Sequence, residues 1–391
     1  MEEIKILDIK FTEEEVDMVD LEVKDNHNFI LGNSILSHNS GKTFLLREIV
    51  DRLYQTDRDV LILNDCKNEF YSSKNPVQEK FQGNLLEGEK PIGLPIVSLR
   101  PTFFKTISAQ LPKGNFWYSI DMKELTKGDF LTMMGSENLT PTQQIAMDLI
   151  YEEMRKKLDA GERFSVPLME GIIDSIDEIS NMQKNSLKFK FRPLVESKFI
   201  ENDYERSMLA LFRHPKRFIP TLNMENFDSF GKGAFQFPEV QMNVALREAI
   251  FARRKKLIKP LFVVFDEAPR FIGVDKDGCI KKTINESIEL DARYGISYFL
   301  AAQNIDSIPE GIQRNCRWIF IPSTLDVQSI RQVLISSGAV RYVQRATNQA
   351  MKLKQQLKRV KFSWIVINRT DGSMTLITPL SPLSEHLETT Q

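Results

Sequence analysis

Four consecutive residues, Ser40-Gly41-Lys42-Thr43, open a stretch with helical periodicity, and their types suit a bound phosphate. Backbone N–H groups at a helix start attract phosphate oxygens, a lysine reaches the β- and γ-phosphates, and a threonine hydroxyl binds Mg2+. A complete phosphate loop has a glycine five positions before Gly41; Leu36 stands there, and Gly32 is nine away. The apolar strand that should feed such a loop is missing as well. Two later features bear on the same chemistry. LFVVFDE (261–267) is an apolar run ending in Asp266-Glu267, as in a strand whose terminal carboxylates bind Mg2+ and activate water. RYGISYFLAAQ then puts Gln303 at the end of the next predicted strand, where a polar side chain can touch a γ-phosphate or its attacking water. Alone, the first feature reads equally as a chance helix start, and the second leaves room for a solvated strand end. In a doubly wound sheet these strand ends meet in one crevice, so three features in order favour a nucleotide site.

The elements that must position them follow from periodicity. IKILDIKF (4–11) and VDLEV (19–23) alternate like short strands, and HNFILGNSILSHN predicts a hairpin turning at Gly32-Asn33. FLLREIVDRLY, from residue 44, has helical period, and VLILND (60–65) reads as a buried strand. A loop-rich stretch runs to about residue 115, NFWYSID (115–121) predicts a strand, and residues 124–215 are mostly helical. A helix at 239–259, the strand at 261–267, a helix at 279–292, and strands at 296–303 and 317–323 come next. Two helices and two strands (361–368 and 373–379) close the sequence. Strands alternating with helices predict an α/β fold with a parallel sheet.

Composition narrows the class. The 391 residues are 42% hydrophobic and 27% charged, values that support a real core. No apolar run approaches the length of a membrane span, and the acidic start MEEIKILDIKFTEEE is no secretory leader. Cys66, Cys279 and Cys316 are too scattered for a disulfide scaffold, which points to a reducing, cytoplasmic setting. Residues 1–39 carry ten acids against three lysines, a net of −7, so the other 352 residues carry +6. That split suggests two unrelated pieces: residues 1–39, and a body at 40–391 with a helical insertion at about 124–238.

The body resembles the HerA/FtsK superfamily of RecA-like, DNA-translocating P-loop ATPases, most closely its HerA branch. The resemblance rests on SGKT (40–43), LNDCKNEF (63–70), VVFDEAPRFI (263–272), ARYGISYFLAAQNIDSIPEGIQRNC (292–316) and IFIPSTLDVQSI (319–330). It implies ATP bound at Ser40, Gly41, Lys42 and Thr43, Mg2+ at Thr43 and Asp266, Glu267 as catalytic base and Gln303 as polar sensor. It further implies a homo-oligomeric ring, a hexamer, acting on double-stranded DNA, with Arg293 or Arg314 as an arginine finger. A DNA-end nuclease is a partner the resemblance allows. Conjugative transfer and viral DNA packaging are rival tasks for the same motor. The basic run at 341–361 and SLKFKFRP (186–193) are candidate DNA-contacting stretches, the former equally readable as a solvated helix face.

VDLEVKDNHNFILGNSILSHNS (19–40) resembles the C-terminal splicing blocks of inteins: Asp20 to His27 in seven steps, a short apolar hairpin, then His38-Asn39-Ser40. The resemblance implies a C-terminal splicing segment of the all-β intein domain, and a complementary N-terminal chain as partner. By it, the Asn39 side-chain amide attacks its own carbonyl and cuts the chain, and His38 handles the proton near neutrality. Ser40 supplies the hydroxyl that accepts the upstream segment, with Asp20 and His27 tuning the proton transfers. A donor ending in Gly-x-x-x would then complete the phosphate loop in front of Ser40. A gene remnant that serves only as a splicing partner is the rival from another class.

Overall fold

The computed structural model describes residues 29–30, 36–37, 42–65, 68–77, 85, 88–102, 104, 111, 114–134, 140–196, 200–201, 208–225, 236–302, 305–322, 325–336, 343–359, 363–378 and 383–384. In order, the elements are β1 (Phe29–Ile30), β2 (Leu36–Ser37), α1 (Lys42–Gln55), β3 (Asp59–Asp65), β4 (Ile96–Pro101), β5 (Asn115–Tyr118) and β6 (Ile120–Asp121). A helical block follows: α2 (Lys127–Met133), α3 (Pro141–Asp159), α4 (Val166–Asp174), α5 (Asn181–Glu196), β7 (Ile200–Glu201) and α6 (Met208–Arg213). Then come β8 (Ile219–Asn223), α7 (Gln236–Arg254), β9 (Leu261–Phe265), α8 (Pro269–Ile272), α9 (Cys279–Asp291) and β10 (Ile296–Leu300). The last part holds α10 (Glu310–Asn315), β11 (Trp318–Pro322), α11 (Val327–Ser336), α12 (Val343–Arg359), β12 (Trp364–Asn368) and β13 (Met374–Ile377).

Six strands form one sheet in the order β10-β9-β3-β8-β4-β5, and every pairing is parallel. Parallel strands are covered on both faces, so their residues are apolar throughout rather than alternating. DVLILND accordingly buries all seven residues of β3. Alternate side chains go to opposite faces. Leu61 and Leu63 join Leu261, Val263 and Phe265 on one face, beneath Val240 and Val244 of α7 and Ile280 and Ile284 of α9. Val60, Ile62 and Val264 lie on the other face, beneath Leu46 and Val50 of α1. The helix α1 therefore lies on the face opposite α7 and α9, with the sheet between them.

The helical block starts where its sequence signals say. Thr126 and Asp129 form a reciprocal capping box on α2, and Thr140 with Gln143 does the same on α3, with Pro141 in the first turn. Asn243 Nδ2 of α7 donates to Asp129 Oδ1 at 2.6 Å, and Arg247 pairs with Asp129 at 2.6 Å, which ties the block to the helices over the sheet.

Three observations depart from the sequence reading. Two sheet strands, β4 and β8, fall in stretches read as loop or helix, and β8 lies inside the span expected to be a helical insertion. The strand at 317–323 does not extend the parallel sheet: β11 pairs antiparallel with β12, and β12 antiparallel with β13, over a separate core of Ile330, Leu334, Ala346 and Ala350 from α11 and α12. Strand propensity is local, whereas the choice of partner is not, so the run WIFIP could not reveal its neighbour.

Toward the start, β1 and β2 pair antiparallel with Phe29 opposite Ser37, and the turn expected at Gly32-Asn33 lies outside the described residues. Asp20, His27, His38, Asn39, Ser40, Gly41 and the strands expected at 4–11 and 19–23 lie outside the described residues. Among the described residues no helix is long and apolar enough to cross a membrane.

Candidate functional site

The C-terminal ends of β3, β9 and β10 are held level by register: Leu63 stands opposite Phe265, and Leu300 opposite Phe265 on the other side. The residue after Phe265 is Asp266, so the acid pair emerges at the same edge where β3 ends in Asn64 and Asp65. Ala268 donates its N–H to the Ala301 carbonyl at 2.8 Å, and Ala301 donates to the Phe265 carbonyl at 3.0 Å, which fixes the turn after β9 against the end of β10. Asp266 and Glu267 are half-buried in this turn. They are not the two solvated acids of an ordinary strand end.

Three of the six left-handed non-glycine residues among the described residues lie near this edge. Asn64 has φ 61°, Asn68 φ 54° and Glu267 φ 47°, three left-handed non-glycine residues at the ends of two neighbouring strands. Each such residue costs on the order of 1–3 kcal/mol and persists where surrounding bonds over-determine it. The pairing of β3 with β8 slips between Ile62 and Asp65, a bulge that coincides with Asn64. Asn64 Nδ2 donates to the Asp266 carbonyl at 2.7 Å, so the bulge on β3 and the acid turn on β9 hold one another. The Glu267 N–H donates to Asp266 Oδ1 at 3.0 Å, which directs that carboxylate.

Beneath the edge lies a buried charge cluster. Asp65, 2% exposed, accepts from the N–H groups of Glu69 at 2.9 Å and Phe70 at 3.2 Å. Burial nevertheless pushes its carboxyl up to about 7, against those bonds and the Arg47 charge. Arg47, 1% exposed, reaches in from the second turn of α1. Its Nη1 donates to Ser72 Oγ at 3.0 Å, its Nη2 donates to the Glu69 carbonyl, and its guanidinium lies 5.6 Å from the Phe70 ring centre. Burial lowers the Arg47 pKa, while Glu69, Asp65, Asp51 and Asp266 oppose that shift. Because α1 leads into β3 through a short turn and packs along it, α1 runs back along the strand, and its start lies toward the C-terminal edge where the acid turn emerges. Three elements far apart in sequence thus converge: the start of α1, the bulged end of β3, and the turn after β9.

The expected site residues are distributed unevenly over this geometry. Lys42 and Thr43 occupy the first turn of α1, and Asp266 and Glu267 the turn after β9. Gln303, Ser40 and Gly41 lie outside the described residues. Arg293 is exposed in the turn entering β10, at the opposite end of the sheet from the acid pair. Arg314 projects from α10, 70% exposed, with Glu310 within 2.6 Å. Arg47, Asn64 and Asp65 were not singled out as site residues. An arginine inside the apolar stripe of FLLREIV, and two polar residues closing VLILND, are the signals that point to them.

The basic stretches split. In α5, Lys188 pairs with Asp174 at 2.6 Å and Arg192 with Glu170 at 3.0 Å, and Phe191 is buried against Phe130, which makes that segment structural in part. In α12, Arg345 and Lys352 are exposed, while Ala346, Ala350, Leu353 and Leu357 are buried.

Among the described residues no group of three or more His, Cys, Asp or Glu is placed to hold a metal ion. The donors at hand suit Mg2+ instead, which takes one or two carboxylates and completes its shell with phosphate oxygens and water. Asp266, half-buried at the C-terminal edge of the sheet, fits that role.

No protein-family model matches the sequence, and no curated protein does. Solved structures do match. VirB4 of Thermoanaerobacter pseudethanolicus covers 87% of this chain and 86% of its own at 13% identity, with a TM-score of 0.52. The plasmid coupling protein TrwB, in complex with ADP and Mg2+, covers 88% and 76% at 11% identity, with a TM-score of 0.47. The genome packaging NTPase B204 from Sulfolobus turreted icosahedral virus 2, in complex with ATP-gammaS, covers 45% and 74% at 12% identity, with a TM-score of 0.28. At such identities the likeness is one of fold, and only the first score is high enough to weigh. The chain shares with VirB4 a RecA-like architecture: a mostly parallel α/β sheet with helices on both faces.

Proposed function

We propose that residues 40–391 form the larger part of a Mg2+-dependent, DNA-translocating ATPase, and that residues 1–39 are a C-terminal intein segment that joins the missing part to it. The observation that carries the ATPase reading is the convergence of the start of α1 and the Asp266-Glu267 turn at the C-terminal edge of a parallel sheet, the edge where α/β sheets take ligands. The first-turn amides of α1 and the Lys42 ammonium would hold the β- and γ-phosphates. Thr43 and Asp266 would hold Mg2+, which when bound neutralises phosphate charge. Glu267, on its left-handed backbone beside that carboxylate, orients the attacking water and takes its proton. Gln303 senses the γ-phosphate. The ring contacts DNA through phosphates, with the exposed face of α12 as the candidate surface.

The splicing reading rests on His38-Asn39-Ser40 and on the β1–β2 hairpin in front of it. The Asn39 side-chain nitrogen attacks its own carbonyl carbon, the bond to Ser40 breaks, and the Ser40 nitrogen leaves as an amine. The donor, already carried as an ester on the Ser40 hydroxyl, then moves to that amine. Co-expression with a chain bearing the complementary half, read by intact mass, tests this. The expected product carries the donor and lacks residues 1–39; a persistent 391-residue chain with no new species contradicts it.

A further inference from the structure

We propose that Asn64 is a positioning residue for Glu267, a role that rests on the reading of Glu267 as the base. The Asn64 side-chain amide holds the peptide that joins Asp266 to Glu267, and so sets where the Glu267 carboxylate stands.

Asn64 is out of place by its type. The four residues before it, Val60 to Leu63, are apolar and buried, and Asn64 is wholly buried after them. A buried amide costs free energy unless its hydrogen bonds are made. The Asn64 backbone is left-handed, with φ 61°, where the pairing of β3 with β8 slips. Asparagine tolerates that conformation, whereas the β-branched residues that suit a strand do not. The ladder between β3 and β9 ends at Leu63 opposite Phe265. The next link across is made by a side chain: Asn64 Nδ2 donates to the Asp266 carbonyl at 2.7 Å.

That carbonyl belongs to the peptide in front of Glu267. A peptide unit is planar, so fixing its C=O fixes the direction of its N–H. Here the N–H is that of Glu267, which donates to Asp266 Oδ1 at 3.0 Å. The same plane sets φ of Glu267, which stands at 47°. The peptide on the other side of Glu267 is held as well, since the Ala268 N–H donates to the Ala301 carbonyl at 2.8 Å. With both flanking peptides held, the Cα–Cβ bond of Glu267 has one direction. Releasing the first peptide lets it turn over. A half-turn of that plane takes φ of Glu267 out of the left-handed region and into the extended region that non-glycine residues prefer. The carboxylate moves with it. A left-handed glutamate persists only where its surroundings hold it, and Asn64 supplies part of that hold from the neighbouring strand.

Two substitutions isolate the amide. Glycine keeps the left-handed backbone at residue 64 and removes the side chain; aspartate keeps the shape and presents an oxygen where the donor stood. In the full chain, each should speed hydrogen exchange of the Glu267 amide by at least ~10-fold, while the amides within β9 and β10 keep their rates. In the ligated product, Asn64→Gly and Asn64→Asp should each lower kcat for Mg-ATP at least ~10-fold, part of the ~10²-fold or more that loss of a general base costs, with KM within ~2-fold. In a Glu267→Gln background, Asn64→Gly should change kcat by less than ~2-fold, because the group it positions is already gone. A loss of equal size in both backgrounds overturns the proposal, since a merely structural asparagine acts alike in each. An unchanged Glu267 exchange rate or an unchanged kcat in both variants overturns it too. Absence of turnover in the unsubstituted ligated product counts against the ATPase reading, while the exchange rates still decide whether Asn64 holds the turn.

Discussion

Replacing Asp65 with asparagine should change how stability depends on pH, and the structure sets the size of the change. In the unfolded chain this carboxyl ionises near 3.8; in the fold, burial raises it to about 7. The folded state therefore holds a proton that the unfolded state has released, and stability falls as pH rises between these values. Below about pH 4 both states are protonated, and above about pH 7 both are ionised, so the loss is confined to that window. Each pH unit inside it costs 1.36 kcal/mol, so about 3 kcal/mol is lost between pH 5 and pH 7. Asp65→Asn removes the titration. It also turns one acceptor into a donor facing the Glu69 and Phe70 amides, a pH-independent cost of about 1–3 kcal/mol. The variant should be the weaker protein at pH 5, and the gap should shift by about 3 kcal/mol in its favour by pH 8. Urea unfolding followed by tryptophan emission at pH 5, 6, 7 and 8 measures it. The other carboxylates are common to both proteins and cancel. A gap constant within about 0.5 kcal/mol would refute the reasoning: Arg47 would then keep Asp65 ionised in the fold.

Glu267→Gln in the ligated product should bind ATP and hydrolyse it at least ~10²-fold more slowly, the usual scale for loss of a general base; equal turnover removes Glu267 from that role. Asn39→Ala should prevent release of residues 1–39, read by mass, because no side-chain amide remains to cyclise. Asp51, wholly buried in α1, accepts from the N–H groups of Leu383 at 2.7 Å and Ser384 at 3.0 Å and from Ser384 Oγ at 2.8 Å. Asp51→Ala should destabilise by about 3 kcal/mol in urea titrations and expose that segment to proteolysis; wild-type behaviour in both would show the tether to be idle. DNA binding by the ligated product should ignore sequence and weaken steeply with salt, and a flat salt dependence in fluorescence anisotropy would exclude phosphate contacts.

What the sequence disclosed depended on how local the signal was. The strands β3, β9 and β10 and the helices α1, α3 and α9 were legible because unbroken apolar runs and helical stripes are properties of a few neighbouring residues. β8 was not. IPTLN carries Pro220 and closes on Asn223, both arguments against a central strand. The fold answers them from elsewhere: Asn223 Nδ2 donates to Asn115 Oδ1 at 2.8 Å, and Arg100 Nη1 donates to Asn223 Oδ1 at 3.3 Å. β4 hides for the same reason, since its Ser98 and Arg100 are buried in that network. At the site, Asp266 and Glu267 stood out as acids closing an apolar run. The bulge at Asn64 did not, because it exists only through the pairing with β8 and the bond to the Asp266 carbonyl. Arg293 stands in the turn that enters β10, at the end of the sheet away from Asp266, a placement set by the direction of the strand and not by its residue types.

The central claim is that this chain lacks part of its nucleotide site until another segment is joined to Ser40. Calorimetric titration of Mg-ATP into the chain, and into the same chain after ligation, tests that claim most directly. The chain alone should show no saturable binding, and the ligated product should bind with a Kd below about 1 mM that Lys42→Ala removes. Saturable binding and steady hydrolysis by the unligated chain, at the level of the ligated product, would contradict it.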